Sequence, residues 1–300
     1  MSRDVPPARR SAPWLLLAPT WLTLGLLLVL PLLLMLGISF RERDVYGGLK
    51  PIEDLGATVV SGAFLANYTR SLEPIYLAIA WRSLWMAVVT TAVCLVIAYP
   101  VAYCIAAVAP PRWKTVLLGL VVIPFWTSFL IRTYAWMFLL RTEGLINTAL
   151  LGSGLIGKPL ELLYRDGAVL AGLVYGELPF MILPLYASLE KLDRTLIEAA
   201  RDLGAGRLAS FFRVTVPLTF PGIAAGVVLV FIPSLGQFIV SDLLGGAKTM
   251  LAGNLIQNQF AVARNKPFGS ALAFELTAAV LLCLLVYALA VRRAGREPLL

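Results

Sequence analysis

Residues 190–217, EKLDRTLIEAARDLGAGRLASFFRVTVP, decide how this chain is organised. Apolar residues recur in the first half at spacings of three and four, the period of an amphipathic α-helix. They are Leu192, Leu196, Ile197, Ala200 and Leu203. Gly204 and Gly206 interrupt this pattern, and a second short helix over about 207–214 is predicted to stop before Pro217. The stretch is therefore predicted to be a helix–turn–helix segment of mixed charge, although an ordinary amphipathic surface loop has the same pattern.

The sequence on either side of this segment is too apolar for a water-soluble fold. Of 300 residues, 59% are hydrophobic and only 14% are charged, whereas roughly a quarter are charged in a soluble domain. A membrane-spanning helix needs about 20 mostly apolar residues. Six stretches meet that requirement, at roughly 14–40, 76–108, 115–139, 167–189, 218–240 and 270–291. The sequence predicts an all-α membrane protein with six transmembrane helices.

Lysine and arginine are unevenly distributed between the predicted loops. One side has 13 of them in about 55 loop residues: Arg3, Arg9, Arg10, Arg112, Lys114, Lys191, Arg194, Arg201, Arg207, Arg213, Arg292, Arg293 and Arg296. The other side has 10 in about 90 loop residues: Arg41, Arg43, Lys50, Arg70, Arg141, Lys158, Arg165, Lys248, Arg264 and Lys266. Because positive residues concentrate on the cytoplasmic side of a membrane, the denser side is expected to be cytoplasmic.

This orientation gives a domain organisation with both termini in the cytoplasm. It comprises a cytoplasmic N-terminus at 1–13, an N-terminal transmembrane helix at 14–40, a periplasmic loop at 41–75, a core of five transmembrane helices at 76–291 that includes the 190–217 loop, and a cytoplasmic C-terminus at 292–300. The first span is expected to be a retained anchor. Its apolar run is about twice as long as that of a signal peptide, and no small-x-small cleavage site follows it.

Composition excludes several other classes of function. The net charge of +8 is scattered between apolar runs, which suits anionic lipid headgroups better than nucleic acid. The chain has no histidine, so His-based metal sites and general bases are excluded. Cys94, Cys104 and Cys283 all lie in apolar runs and are expected to be small hydrophobic residues. No metal site is predicted.

Residues 152–159, GSGLIGKP, almost match a phosphate-binding loop. Pro159 stands where that motif has the Ser or Thr that holds magnesium, and no predicted strand precedes the loop. The stretch is expected to be a glycine turn on the outer face, so the chain has no ATP site of its own. A membrane enzyme would need a catalytic set, and the sequence has neither Gly-x-Ser-x-Gly nor an intramembrane pair of aspartates.

The 190–217 loop resembles the EAA loop of ABC importer permeases, Glu-Ala-Ala, three residues, Gly, nine residues and Ile-x-Leu-Pro. The corresponding residues here are Glu198, Ala199, Ala200, Gly204, Val214, Val216 and Pro217, with valine in place of Ile and Leu. In that family the loop forms a coupling helix that docks on a separate ATPase. The resemblance implies a type I importer membrane domain, the MetI-like fold. The implied coupling residues are Glu198, Ala199, Ala200, Asp202, Gly204 and Pro217.

Further stretches resemble the spermidine/putrescine permeases of the PotB and PotH type. They are 123–134 (IPFWTSFLIRTY), 174–193 (VYGELPFMILPLYASLEKLD), 239–249 (IVSDLLGGAKT) and 267–269 (PFG). The family implies a second, PotC/PotI-like permease, a PotA-like ATPase dimer that binds ATP and magnesium, and a periplasmic PotD/PotF-like polyamine-binding protein. No cofactor is expected on this chain. The alternative is the same machine for another substrate, such as ferric iron, thiamine or an opine.

A polyamine path should offer carboxylates and aromatic faces to an alkylammonium ion. The candidates are Glu177 in the fourth predicted span, Asp242 at the outer end of the fifth, and the aromatic residues Trp126, Tyr134 and Tyr175. Each has a structural alternative. Glu177 could pair with Arg132 of the third span, Asp242 could cap a helix or turn, and Trp126 could be an interfacial anchor.

Overall fold

The computed structural model describes residues 12–44, 48–50 and 63–294, and these residues are overwhelmingly helical. The α-helices are α1 (Ala12–Leu24), α2 (Leu30–Ser39), α3 (Ala66–Ser71), α4 (Pro74–Tyr103), α5 (Pro111–Val122), α6 (Phe129–Leu140), α7 (Leu145–Gly152), α8 (Asp166–Glu190), α9 (Arg194–Asp202), α10 (Arg207–Ser210), α11 (Val216–Leu218), α12 (Phe220–Gly236), α13 (Ala252–Ala261) and α14 (Lys266–Ala294). Four π-helical turns interrupt or extend them, at Gly25–Val29, Cys104–Val108, Phe211–Thr215 and Ser241–Gly245.

Four helical segments are long and apolar enough to cross a membrane. They are Leu17–Ser39, Pro74–Val108, Asp166–Glu190 and Lys266–Leu289. Two further pairs meet the same test only together: Pro111–Trp126 with Phe129–Gly152, bent by 90°, and Arg207–Leu218 with Phe220–Gly236, bent by 65°. If each bent pair is one span, the described residues contain the six spans that the sequence predicts.

The third predicted span, 115–139, is not one straight helix. A 3₁₀ turn at Ile123–Trp126 follows α5, and Thr127 and Ser128 are extended, with ψ angles of 152° and 135°. Pro124 favours this break because proline has no N–H to donate and its ring clashes with the preceding helical turn. The fifth predicted span, 218–240, is likewise shorter, since α12 ends at Gly236 and the next residue is extended.

The described residues pack as two compact units. The first comprises the described residues up to Ser71 and residues 259–274, although the sequence assigned that second segment to the core permease domain. In this unit the hydroxyl groups of Ser39 and Tyr68 lie 2.7 Å apart. The Asn67 side chain donates to the carbonyl oxygens of Ser39 and Arg41, at 2.8 Å each. These polar contacts tie the end of α2 to α3.

The second unit is built on three helices, α4, α8 and α12, which pack against one another. Arg82 near the start of α4 pairs with Asp166 at the start of α8 at 2.5 Å, so these two helices run in the same direction. Gly222 near the start of α12 faces Ser188 near the end of α8, so α12 runs the opposite way. Their shared core contains Cys94, Ala98, Ala102, Met181, Ile182, Leu185 and Val230.

Glycines permit the close approach of α8 and α12. A Cβ atom on Gly222 would lie 2.5 Å from the Cβ of Ser188 and 2.8 Å from the carbonyl oxygen of Pro184. A Cβ atom on Gly226 would lie 2.5 Å from the sulfur of Met181. Small residues at a membrane helix interface let backbones pack closely, as the Gly-x-x-x-Gly spacing predicts.

We expect Gly222→Ala to destabilise the protein although alanine is the better helix former. Overpacking a tight contact costs about 1–3 kcal/mol, which outweighs the gain of about 1 kcal/mol in helix propensity. The measurement is the thermal unfolding midpoint in detergent, with Gly119→Ala as the matched control, because a Cβ atom there meets nothing within 4 Å. Equal midpoints for the two variants would contradict the packing argument.

Candidate functional site

The predicted coupling helix is present as α9, and it is fixed at its start by a side-chain cap. The Asp193 carboxylate accepts a hydrogen bond of 3.0 Å from the backbone N–H of Thr195. An N-terminal cap satisfies one of the four free donors at a helix start. The helix therefore begins at Arg194 for a local reason that the sequence already contains.

The end of α9 is fixed by Gly204. Its φ angle is +87°, in the left-handed region. The Gly204 N–H donates to the carbonyl oxygen of Arg201 at 2.9 Å, and the Ala205 N–H donates to that of Ala200 at 3.0 Å. This pair of bonds is a Schellman C-cap, which needs a residue that tolerates positive φ. The glycine of the motif is therefore required by backbone conformation, since nothing lies within 4 Å of its Cβ position.

The sequence predicted that the second helix of the loop stops before Pro217, and this prediction is wrong. The helix begins at Arg207, widens into the π turn at Phe211–Thr215 and continues as α11, with Pro217 near the start of that segment. Pro217 is accommodated inside this continuous helical stretch because the π turn just before it already interrupts the regular i→i−4 hydrogen bonds. The chain bends by 65° only between Leu218 and Phe220.

Large apolar side chains are exposed on this otherwise charged loop. The exposed fraction is 90% for Leu203, 75% for Leu208 and 64% for Phe212. Glu198 and Ala199, which lie on α9, are also exposed. Exposed apolar residues rimmed by polar ones mark surfaces that bind a protein or a membrane.

A cleft of about 550 Å³ lies at the loops on the far side of the second unit, and another of about 440 Å³ lies under α9. The second is lined by residues of α4, α5, α8 and α9, the motif glutamate among them, and by residues that flank these helices: Tyr103, Ala106, Ala107, Lys114, Leu189, Glu190, Leu192, Arg194, Ile197, Glu198 and Arg201. Lys114 and Glu190 already pair across it at 2.9 Å. Glu198 has no ion-pair partner among the described residues.

Glu177 is only 5% exposed, and its Oε2 atom has no hydrogen-bond partner. The alternative that it pairs with Arg132 is wrong, because no ion pair among the described residues joins the two. The Arg132 guanidinium instead lies 4.5 Å from the ring centre of Phe125 and 5.6 Å from that of Phe129. Its charge is held on aromatic faces, and Glu177 is left as a buried carboxyl group without a partner.

Within the second unit, two hydroxyl groups share this condition, those of Thr90 on α4 and Ser234 on α12. The register of α8 and α12 pairs Met181 with Gly226. Continued by one turn along both helices, this register places Glu177 opposite residue 230. Ser234 lies one turn further along α12. Since side chains lean toward the start of their own helix, those of Glu177 and Ser234 lean toward each other. Buried unpartnered oxygens on three packed helices need a physical reason.

Asp242 lies in the π turn that follows α12, and its side chain does not cap that turn. Its carboxylate instead accepts a hydrogen bond from the side-chain amide of Asn254 in α13. The same amide donates to the carbonyl oxygen of Phe238 at 3.2 Å. Asp242 is exposed, so one face of its carboxylate is free to meet a ligand.

The aromatic candidates do not pack against one another. Trp126 ends the 3₁₀ turn at the break of the third span and is 86% exposed, and Tyr134 is 41% exposed. Tyr175 packs edge-on against Trp136, with ring centres 5.6 Å apart. None of the ring contacts among the described residues joins any two of these three side chains.

The near match to a phosphate loop is a turn, as expected. α7 ends at Gly152, and Gly154 has a φ of +71°. No strand precedes it, because the preceding described segment is the helix Leu145–Gly152.

Comparison with known proteins decides the family. Residues 8–296 match the model of the binding-protein-dependent transport system inner membrane component. This chain belongs to that family. It is therefore the permease component of a binding-protein-dependent ABC importer. The resemblance of its sequence to ABC importer permeases is confirmed.

The permease has similar relatives in several bacteria. It is 45% identical over 269 residues to the spermidine/putrescine transport system permease protein PotB of Haemophilus influenzae, with 89% of each chain covered. It is 46% identical to PotB of Escherichia coli, covering 89% of this chain and 92% of that one. It is 33% identical to the inner membrane ABC transporter permease protein YdcU of Escherichia coli, covering 84% and 82%.

Two solved structures share the fold of the permease. A chain of a bacterial ABC transporter for alginate superposes with a TM-score of 0.74, at 17% identity, covering 93% of this chain and 96% of that one. A chain of the methionine transporter MetNI superposes with a TM-score of 0.55, at 20% identity, covering 75% and 99%. At these identities the likeness concerns the fold alone, and it confirms the predicted MetI-like class.

Several residues of the site were missed from the sequence. Arg194, Phe211 and Asn254 make contacts that depend on partners more than ten residues away. Leu203 and Leu208 lie in the two helical stretches that the sequence predicts, but no feature of the sequence indicates that their side chains are exposed. The π turn at Phe211–Thr215 has none either.

Proposed function

We propose that this chain forms one half of the membrane pore of an ATP-driven polyamine importer. It couples ATP hydrolysis on a separate ATPase to alternating outward and inward access, and it performs no chemistry itself. The observation that carries the coupling role is α9, an exposed helix capped at both ends and carrying the Glu198 and Gly204 of the EAA pattern. The polyamine assignment is supported by the similarity to permeases named for spermidine and putrescine.

The ATPase contact is formed by the exposed face of the 190–217 loop. Ala199 offers a small side chain that lets another protein surface approach closely. Leu203 and Leu208 supply apolar area that water otherwise covers, and Glu198 can pair with a base of the ATPase. Because α9 is capped at both ends, a displacement of its surface moves the helix as one body.

The substrate path includes Glu177 and Asp242, with Trp126, Tyr134 and Tyr175 as aromatic surface. A buried carboxyl group without a partner inside a membrane protein is expensive and is usually retained for function. An alkylammonium group can donate to the unpartnered Oε2 atom of Glu177. The exposed Trp126 and Tyr134 offer faces to a cation or to a second permease.

The complete transporter contains four kinds of component besides lipid. They are this permease, a second PotC/PotI-like permease, a PotA-like ATPase dimer that binds ATP and magnesium, and a PotD/PotF-like polyamine-binding protein in the periplasm. Both termini and the 190–217 loop face the cytoplasm, which the density of lysine and arginine supports.

The first test is uptake of labelled putrescine and spermidine by cells that lack their own polyamine importers. We expect uptake when the cells carry this chain with its neighbouring transporter genes, and none when this chain alone is omitted. Uptake that does not depend on this chain, or an assembled complex that hydrolyses ATP without taking up polyamines, would contradict the polyamine assignment.

A further inference from the structure

A cation from the 190–217 loop caps the inner end of the longest spanning helix. α4 continues through the π turn at Cys104–Val108 and ends there. The last carbonyl groups of any helix have no amide partner within it. The Arg194 guanidinium donates to two of these, the carbonyl oxygens of Ala106 at 3.3 Å and Ala107 at 3.1 Å. A positive charge is also favourable at the negative end of a helix.

An aromatic contact joins the same two parts of the chain a second time. The ring of Phe211, which opens the π turn of the loop, lies edge-on to Tyr99 at 5.4 Å and to Tyr103 at 6.0 Å. Both tyrosines belong to α4. The Tyr99 hydroxyl also lies 2.9 Å from that of Thr219, in a buried contact just after the loop.

These contacts give the loop a connection that its covalent structure does not provide. The polypeptide joins the loop to α8 and α12, whereas α4 is more than 80 residues away in sequence. A displacement of α9 would reach α8 and α12 through the backbone. It also reaches α4 through the packing of α8 and α12 against that helix. Arg194 and the Phe211 ring add a direct connection from the loop to α4.

We propose that Arg194 is a positioning residue that holds the coupling helix to α4, so that the movement driven by the ATPase is delivered to all three core helices together. This inference rests on the proposed function, because it assumes that an ATPase moves α9. Arg194 does not hold α9 in a helical conformation, since Asp193 and Gly204 cap that helix without it. Its removal should therefore change the transmission of movement without unfolding the loop.

The test uses the assembled transporter in liposomes, in the presence of the polyamine-binding protein. It measures the amount of polyamine transported per ATP hydrolysed. We expect Arg194→Gln to bind the ATPase normally and to lower this ratio about fivefold or more, the lower end of typical coupling between sites. Arg194→Lys, which keeps a cationic donor, should restore most of the ratio. The thermal unfolding midpoint should be the same for all three proteins.

The matched control is Lys191→Gln, which removes one positive charge from the same loop. Lys191 is exposed, and it forms no ion pair with the other described residues. An unchanged ratio for Arg194→Gln in a wild-type background that transports polyamine would overturn this inference and leave the proposed function standing. A wild-type complex that hydrolyses ATP without moving polyamine would overturn both.

A second variant decides the question if Arg194→Gln does not assemble. Phe211→Leu keeps an apolar side chain of similar size and removes the edge contacts to Tyr99 and Tyr103. We expect the same fall in polyamine moved per ATP at unchanged ATPase binding. A wild-type ratio in Phe211→Leu would then overturn the inference.

Discussion

Gly204→Thr should abolish most polyamine-stimulated ATP hydrolysis while the membrane domain remains folded. A residue with a Cβ costs about 1–2 kcal/mol more than glycine in the left-handed region, and a β-branched residue is especially disfavoured there. The φ of +87° at this position closes the C-cap of α9. Threonine would open that cap and change the direction in which the chain leaves the coupling helix, so the ATPase would meet a misplaced surface.

The measurement is ATP hydrolysis by the purified complex with and without the loaded binding protein. Gly206→Thr is the matched control, because Gly206 has a φ of −64° and a ψ of 168°, which threonine adopts readily. Gly206 is also the N-cap of the following helix, where threonine is a favourable residue. Normal stimulated hydrolysis and transport by Gly204→Thr would contradict the coupling role of the loop.

Glu177→Gln should lower polyamine uptake about 10- to 100-fold without lowering stability. A hydrogen bond to a charged group contributes about 1.5–3 kcal/mol, and each 1.4 kcal/mol is about tenfold in affinity or rate. The amide has nearly the same shape as the carboxyl group. Because the Oε2 atom of Glu177 has no partner, its replacement breaks no hydrogen bond, and the unfolding midpoint should stay the same or rise.

Uptake by Glu177→Gln is measured beside ATPase binding, which should be normal, and beside a control variant, Glu42→Gln. Glu42 forms an exposed pair with Lys50 at 3.2 Å, and exposed pairs contribute little to stability.

Asp242→Asn should lower polyamine uptake less than Glu177→Gln does, since the Asn254 amide already donates a hydrogen bond to the Asp242 carboxylate. Wild-type uptake by both amide variants would show that the substrate path lies elsewhere.

The coupling loop could be predicted well because its structure depends on local rules. Asp193 as an N-cap, the apolar spacing of α9 and the glycine at its end each act over a few residues. The membrane class followed from the length of the apolar runs. The proline at 217 was misjudged because the helix continues through it by way of the π turn at Phe211–Thr215, which no feature of the sequence indicates.

The substrate side could not be predicted to the same degree. Glu177 was identified from its depth in an apolar run, but its pairing with Arg132 was a guess from charge alone. The arginine packs on Phe125 and Phe129 instead, both of which precede it in the same stretch of chain. The break after Trp126 fixes that placement, and the sequence showed only a proline near it.

The sequence by itself determined that this protein is a helical membrane permease, and it predicted a helix in the 190–217 loop that ends at Gly204. These properties follow from hydrophobic length and helix capping, both of which act within a few turns. Tertiary structure alone decided which side of each spanning helix is buried, that Arg194 caps α4, and that Glu177 has no partner. The reason is that lipid and protein core are equally apolar, so a spanning helix shows little periodic pattern from which its packing face could be predicted.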